Sequence, residues 1–471
     1  MVNLKSEVRW IVLFTIIEII WVTILSSTLY QWIYGSKISY YSSVNFLVVT
    51  IPMISFVLIY YATLIFTFSV YIIAIERVKN SQINSVLETR KAKRHCEPLA
   101  DTDHTMRNSI TNKNDKPDPL CSIIIPASNE QYVIKKTVIN CLKQTYTNIE
   151  IIVICHNCTD RTFEEASITD ERVKVFNLGT KEAGKGIALN YGTVKSKGDL
   201  VLILDADGKL SEDFIEMSLP LLKKDIVAVQ GAYVPSNRDY NLLTRLLAIE
   251  GDLWSTPFMT TRSILQKRVY LGGTGYIIRK NVLVQVGGFA NHLVDDYELS
   301  CRLFKFGHKI DFAPLSINYD EKPADFRVML RQRARWSRGF FNLLNKRAVK
   351  FTDILGLLYW LNPVAAIIGI SIISIYGYAA LHGLVMGHYP FSFFSLPINV
   401  WIPMTVTVFI MQIAVLVKEY GFKGLNYGAY LVLYNAFSLY FLVTFIKGLF
   451  VKSWGNTKTI HGFSKDKNTT L

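Results

Sequence analysis

The stretch DLVLILDADGK, Asp199–Lys209, decides the fold. Leu200–Leu204 is an unbroken apolar run, too short for an ordinary helix and flanked by polar residues. Without alternation of polar and apolar positions, such a run reads as a strand buried on both faces, the signature of a parallel sheet in an α/β domain. The run ends in Asp205-Ala206-Asp207-Gly208, two carboxylates one residue apart at a strand end. Three further stretches repeat the theme: CSIIIP from Cys121, IEIIVIC from Ile149 and VKVFNL from Val173. Helical stretches lie between them, so the segment 120–350 is expected to be an α/β domain with a mostly parallel sheet.

Open α/β sheets bind ligands at the carboxyl ends of their strands. The first strand runs into ASNE, carrying Asn129 and Glu130; the second runs into HNCTDRT, carrying Asp160. With Asp205 and Asp207, three strand ends release acids or amides on one edge, which predicts a ligand site there. Two carboxylates one residue apart suit a hard cation such as Mg2+ or Mn2+, which takes oxygen ligands and shares them with phosphates. A plain polar turn stabilised by Gly208 is the alternative.

Other motifs follow in order. EAGKGIALNYG, Glu182–Gly192, sets Lys185 between glycines ahead of an amphipathic helix, without the spacing of a phosphate-binding P-loop. LGGTGYIIRK, Leu271–Lys280, is a glycine-rich turn before an apolar strand. VDDYELS places Asp295 and Asp296 where a helical pattern begins, as N-cap acids or as the base of an enzyme. RQRARWSRG, Arg331–Gly339, holds four arginines and Trp336. Arginine suits a diphosphate through its bidentate geometry and tryptophan suits the flat face of a sugar ring; a solvated basic helix face is the alternative.

The whole chain sets the setting. It has 471 residues, is half hydrophobic, and carries a net charge of +14. Its pI is about 9.3 and its mean hydropathy +0.25, which points to membrane segments lying against an anionic surface. The six cysteines are scattered, excluding a disulfide framework, and Cys155 and Cys158 make a lone CxxC without partners for a zinc site. Apolar runs from Trp10 to Tyr30 and from Val44 to Ile75 are each long enough to span a bilayer; Ile354–Met386, Val400–Val417 and Leu425–Phe445 follow the central domain. This gives two spans in 1–75, a basic flexible linker in 76–119, and an interfacial helix with about three spans in 351–452. A polar tail occupies 453–471. Basic loops on either side of the first pair place the central domain in the cytoplasm. Three later spans put the C-terminus outside, whereas the tail KSWGNTKTIHGFSKDK is basic, so the two signals disagree on the span count.

The ordered pieces IPASNE, CHNCTD, AGKGIALN, DADG, GGTGYIIRK, VDDYELSCRL and QRARW resemble the inverting family 2 glycosyltransferases of the GT-A fold. The resemblance covers about 120–350 and is nearest the membrane-embedded cellulose, hyaluronan and poly-N-acetylglucosamine synthases. It implies that Asp296 is the general base, supported by Asp295. Glu130 and Asp160 would hold the base and ribose of a nucleoside diphosphate sugar, with Asn129 beside them and Lys185 near the nucleotide. Asp205 would contact nucleotide or metal, and Asp207 would bind Mg2+ or Mn2+. Gln332, Arg335 and Trp336, of a QxxRW motif that also includes Arg333, would close over the diphosphate and shape the acceptor site. The chain departs from the family at Cys155 and His156, where two acids are common, and at Asp295, where Glu is usual. The implied function is an inverting hexosyl- or N-acetylhexosaminyltransferase in the cell membrane, multi-pass, with a cytoplasmic catalytic domain. UDP-sugar is the favoured donor, and no nucleic acid is bound. A processive β-linked polysaccharide synthase that translocates its product is the first expectation. Addition of one or a few sugars to a membrane lipid is the second.

Overall fold

A computed structural model describes residues 40–96, 118–182, 184–345, 385, 398–437 and 440–451. The chain divides into two units. One combines Ile75–Gly251, Met259–Lys350 and Lys447–Leu471; the other combines Met1–Ala74, Asp252–Phe258 and Phe351–Ile446.

The first of these units holds the α/β domain. In chain order its elements begin with α1 (Tyr40–Cys96, shared with the other unit), β1 (Cys121–Ala127), α2 (Ile134–Leu142) and β2 (Ile149–His156). There follow α3 (Thr162–Ala166), β3 (Val173–Leu178), α4 (Lys185–Lys195), β4 (Leu200–Ile203), β5 (Lys209–Leu210), α5 (Phe214–Ser218) and β6 (Ile226–Pro235). The remainder are α6 (Leu242–Trp254), α7 (Thr256–Gln266), β7 (Tyr276–Arg279), α8 (Lys280–Gln285), α9 (Asp295–Lys305), β8 (Lys309–Asp320) and α10 (Phe326–Asn345).

The strands make one eight-stranded sheet in the order β3-β2-β1-β4-β7-β6-β8-β5. β3, β2, β1 and β4 are mutually parallel, and β6 and β8 are parallel to each other. β7 runs antiparallel to both β4 and β6, and β5 antiparallel to β8. The sheet is therefore mostly parallel, as its apolar strands predict. Side chains alternate between two buried faces. Ile123, Ile125, Ile151, Val153 and Leu202 join one core, while Ile124, Val201 and Ile203 join another on the opposite face. The register Ile151↔Ile123↔Leu202 keeps these residues on one face across three strands. A slip of one residue would turn every one of them to the other side.

This topology positions the site. The carboxyl ends of β1, β2 and β4 share an edge, and the reversed β7 brings its amino end, Gly272–Gly275, to that same edge.

The polar half of α1 differs from expectation. The helix runs to Cys96, so residues 76–96 are helical rather than flexible linker. The chain from Met53 to Cys96 holds neither proline nor glycine, and Pro98 stands just past the end. This half is also anchored on the domain. Gln82, 1% exposed, donates to the Met217 carbonyl and the Ser316 hydroxyl and accepts from the Leu315 N–H. Arg90 pairs with Glu216 at 2.7 Å. Residues 97–117 lie outside the described part.

Among the described residues, one helical stretch, Tyr60–Lys91, is long and apolar enough by composition to cross a membrane. The expected spans Trp10–Tyr30 and Ile354–Met386 fall outside the described residues, Val385 apart. Val400–Val417 lies within α11 (Ile398–Tyr420). The stretch expected as one span from Leu425 to Phe445 begins in a 3-10 turn, Gly421–Tyr427, and continues as α12 (Gly428–Phe437) and α13 (Tyr440–Phe450).

Candidate active site

The loops after β1 and β2 are stitched together. Asn129 takes a left-handed backbone, φ 61°, which asparagine tolerates. Its side-chain oxygen accepts the Thr159 N–H at 2.8 Å. Asp160 Oδ1 accepts the Thr162 N–H at 3.0 Å and Asp160 Oδ2 the Gln131 N–H at 3.3 Å, while the Glu130 N–H donates to Thr162 Oγ1. Asn129, Glu130 and Asp160 thus come together as the sequence implied. Asp160 already serves as the clasp between the two loops, also accepting the Thr162 hydroxyl, with one acceptor site left on Oδ2. Cys158 belongs to the same clasp, its sulfur 3.5 Å from the Asn129 N–H and from the Ala127 carbonyl.

The strand-end acids meet a lysine. Lys185, first residue of α4, donates from Nζ to Asp205 Oδ1 at 2.5 Å and to the Gly273 carbonyl at 2.7 Å. The Asp205 N–H donates to Thr274 Oγ1 at 2.9 Å. Gly273 has φ +85°, and a Cβ built on it would stand 3.2 Å from Asp296 Oδ2. The glycine turn therefore lies directly against the candidate base. Gln230 and Tyr233 of β6 hold this turn from below. Gln230 accepts the Gly272 N–H at 3.0 Å and donates to the Thr274 and Gly275 carbonyls; Tyr233 offers its hydroxyl to the Gly272 carbonyl at 2.6 Å.

Asp295 and Asp296 open α9, but neither is its N-cap. That position is Val294, with no side-chain cap, so the capping role expected of these acids is corrected. They occupy the first turn instead, where the helix dipole favours negative charge. Asp296 Oδ1 accepts the Tyr297 N–H at 2.8 Å. Burial, followed by the charge of Asp295, pushes the Asp296 carboxyl up to about 7. Burial likewise raises Asp295, against the pull of Lys185. Repulsion from Asp295 thus contributes to the rise at Asp296, but burial is the larger cause. Burial works against the Lys185 ammonium too, yet Asp205, Asp295 and Asp296 more than offset it and hold its pKa above the usual lysine value.

α10 supplies the remaining residues. The Arg335 guanidinium donates to the Leu293 carbonyl at 2.7 Å, two residues ahead of α9. Burial pulls its pKa down, while Asp296, Asp295 and Asp205 pull it up. Gln332 and Trp336 are half-buried on the same helix, one turn apart. Arg333 is buried, pairs with Glu250 at 2.6 Å, and stacks on Trp336.

Lys185, Asp205, Gly273, Asp295, Asp296 and Arg335 form one electrostatic cluster. Three carboxylates, Asp205, Asp295 and Asp296, face two cations, Lys185 and Arg335, an excess of one negative charge when all are ionised, and Asp207 follows Asp205 by two residues. No group of three His, Cys, Asp or Glu residues able to hold a metal occurs among the described residues. A hard cation here would rest on Asp207 and Asp205 and complete its shell with phosphate oxygens and water. Mg2+ commonly binds in that way, so these two residues fit one. Gln230, Tyr233 and Glu250 carried no motif. Their only sequence signal is a polar group inside an otherwise apolar segment, which must find partners.

Residues 117–339 match the family described as "Glycosyltransferase like family 2". The chain is 31% identical over 259 residues to a probable glycosyltransferase, YdaM, of Bacillus subtilis, covering 50% of this chain and 61% of that one. It is 28% identical over 231 residues to a beta-monoglucosyldiacylglycerol synthase of Nostoc sp., covering 47% of this chain and 49% of that one. It is 26% identical over 227 residues to a poly-beta-1,6-N-acetyl-D-glucosamine synthase of Staphylococcus aureus, covering 47% of this chain and 55% of that one. The chain thus matches about half the length of these relatives.

Proposed function

We propose that residues 117–339, which match a glycosyltransferase family 2 model, form a glycosyltransferase domain, and that the chain transfers a sugar, with inversion, from a nucleoside diphosphate sugar to an acceptor hydroxyl at a membrane. The observation that carries the mechanism is the place of Asp296, a half-buried carboxyl in the first turn of α9, set against the Gly273 turn and in the electrostatic reach of Lys185 and Arg335, with its pKa pushed up to about 7. A base works best when its pKa lies near the working pH, and such help is worth about 10²–10⁴-fold. Asp296 accepts the acceptor's proton as its oxygen attacks the anomeric carbon from the face opposite the diphosphate. Lys185 and Arg335 face the negative charge that grows on the leaving group. Glu130 and Asp160 hold the nucleoside, and Gln332, Arg335 and Trp336 close over the diphosphate and acceptor. A divalent cation held by Asp207 and Asp205 would neutralise diphosphate charge when bound. The leaving group then needs no proton from a second acid.

For the product we hold a processive β-linked polymer as the first reading, supported by apolar segments on both sides of the domain and by the likeness to a polysaccharide synthase. A second reading, one or a few sugars added to a membrane lipid, is favoured by the likeness to a beta-monoglucosyldiacylglycerol synthase. The test uses the purified chain in lipid vesicles with Mg2+ or Mn2+ and a panel of UDP-glucose, UDP-N-acetylglucosamine and GDP-mannose. Diphosphate release identifies the donor. Long product from donor alone supports the polymer; short product that requires added dioleoylglycerol supports the lipid acceptor; no release with any donor sinks both.

A further inference from the structure

An acid inside an apolar helix needs a reason. Glu250 lies in α6, within LLAIEGDLW, and is only 3% exposed. Its carboxylate reaches the Arg333 guanidinium at 2.6 Å, and Arg333 is itself 7% exposed. The same guanidinium carbon sits 4.3 Å from the centroid of the Trp336 ring. One arginine therefore joins a buried carboxylate to the face of a half-buried indole.

Stability alone does not explain this arrangement. Removing two charges from water costs about as much as their attraction returns, and apolar residues of equal volume often serve as well. What the pair adds is geometry. A guanidinium is planar, always charged, and stacks flat on an aromatic face. Fixed at one edge by Glu250, it fixes the plane of the indole that it covers. One face of Trp336 is then covered by the guanidinium, and the proposal concerns the opposite face. Arg335, one residue before Trp336, ties the helix to the Leu293 carbonyl ahead of the base. The orientation of the indole relative to Asp296 thus depends on where Arg333 is held.

We infer that Glu250 is a positioning residue for the acceptor: through Arg333 it fixes the indole of Trp336, against which the apolar face of an acceptor sugar ring or glycosidic headgroup packs. This rests on the reading that Trp336 shapes the acceptor site.

The experiment compares wild type, Glu250→Gln, Arg333→Lys and Trp336→Ala in lipid vesicles, with Mn2+, the donor selected by the panel above, and octyl β-glucoside or dioleoylglycerol as acceptor. Glu250→Gln removes the charge at constant size. Arg333→Lys keeps the ion pair but loses the flat stack. Each is expected to raise the acceptor KM about tenfold, the scale of one lost cation–π contact, while the donor KM stays within about twofold. A purely structural pair would instead lower the melting temperature and leave the ratio of the two KM values unchanged. That result, or an unchanged acceptor KM in both variants while Trp336→Ala raises it, overturns the inference. If Glu250→Gln does not fold, Arg333→Lys decides alone. A wild type that releases no diphosphate, or a Trp336→Ala variant with normal acceptor KM, points instead to failure of the underlying functional reading.

Discussion

Asp296 is raised because it is buried and because Asp295 is beside it, and Lys185 restrains that rise. Removing the lysine should therefore move the base further from the ordinary range. Lys185→Met is expected to shift the acid limb of the kcat/KM profile to higher pH, in addition to lowering the rate; a limb that stays in place would detach Lys185 from the base. The same shift has a consequence for stability. A carboxyl with a raised pKa binds more protons folded than unfolded between its unfolded value, about 4, and its folded value. Stability therefore falls as pH rises from about 4 to about 7, where Asp296 ionises in the fold. Replacing it by a neutral isostere removes that penalty. Asp296→Asn is expected to melt at a higher temperature than wild type at pH 8, with the difference shrinking at pH 5, as scanning calorimetry would show. Equal melting temperatures at pH 8 would mean that the carboxyl is not strained by burial.

At the scale of elements, the glycine turn before β7 deserves two tests. Gly273 has positive φ and its missing Cβ faces Asp296 Oδ2 at 3.2 Å. Gly273→Ala is expected to cost about 1–2 kcal/mol of stability from the left-handed backbone, and to lower kcat by displacing the base. Gln230→Leu leaves the Gly272 N–H without its acceptor, while the Thr274 carbonyl keeps the Tyr233 hydroxyl and the Gly275 carbonyl keeps the Gly231 N–H. A loss of about 1 kcal/mol for the one orphaned, partly buried donor is expected in denaturant melts, together with weaker turnover. Near-normal stability would show that the turn is held by β7 alone. Much of this was legible in the sequence. Unbroken apolar runs specified the parallel strands, and the acids and amides behind them, at Asn129, Glu130, Asp160 and Asp205, do share one sheet edge. The supports were not legible. Gln230, Tyr233 and Glu250 act across tens of residues of chain, and no spacing rule joins a residue on β6 or α6 to a turn or helix that follows so much later. The start of α9 is hidden for a local reason: adjacent acids look like a cap, but backbone geometry makes Val294 the cap and sets both acids inside the first turn. The polar half of α1 reads as linker because its composition is basic and low in aromatics; Glu, Arg, Lys and Gln are also good helix formers, and Gln82 pins them to the domain.

At the scale of the whole molecule, the domain's ligand edge gathers more negative than positive charge, within a chain that is basic and half hydrophobic overall. On the proposed reading, a divalent cation held by Asp207 and Asp205 would enter with the donor. Chelation by EDTA is expected to remove donor turnover, and excess Mg2+ or Mn2+ to restore it; full activity in EDTA would take Asp205 and Asp207 out of the metal role. The central claim is that Asp296 is the base of a sugar transfer, and one measurement tests it most directly. Diphosphate release and glycosylated product are followed for wild type and Asp296→Asn, in vesicles with the donor that wild type uses, while donor affinity is measured separately. The account predicts a fall of about 10²–10⁴-fold in turnover with donor affinity retained. An Asp296→Asn protein that transfers sugar at the wild-type rate would contradict it.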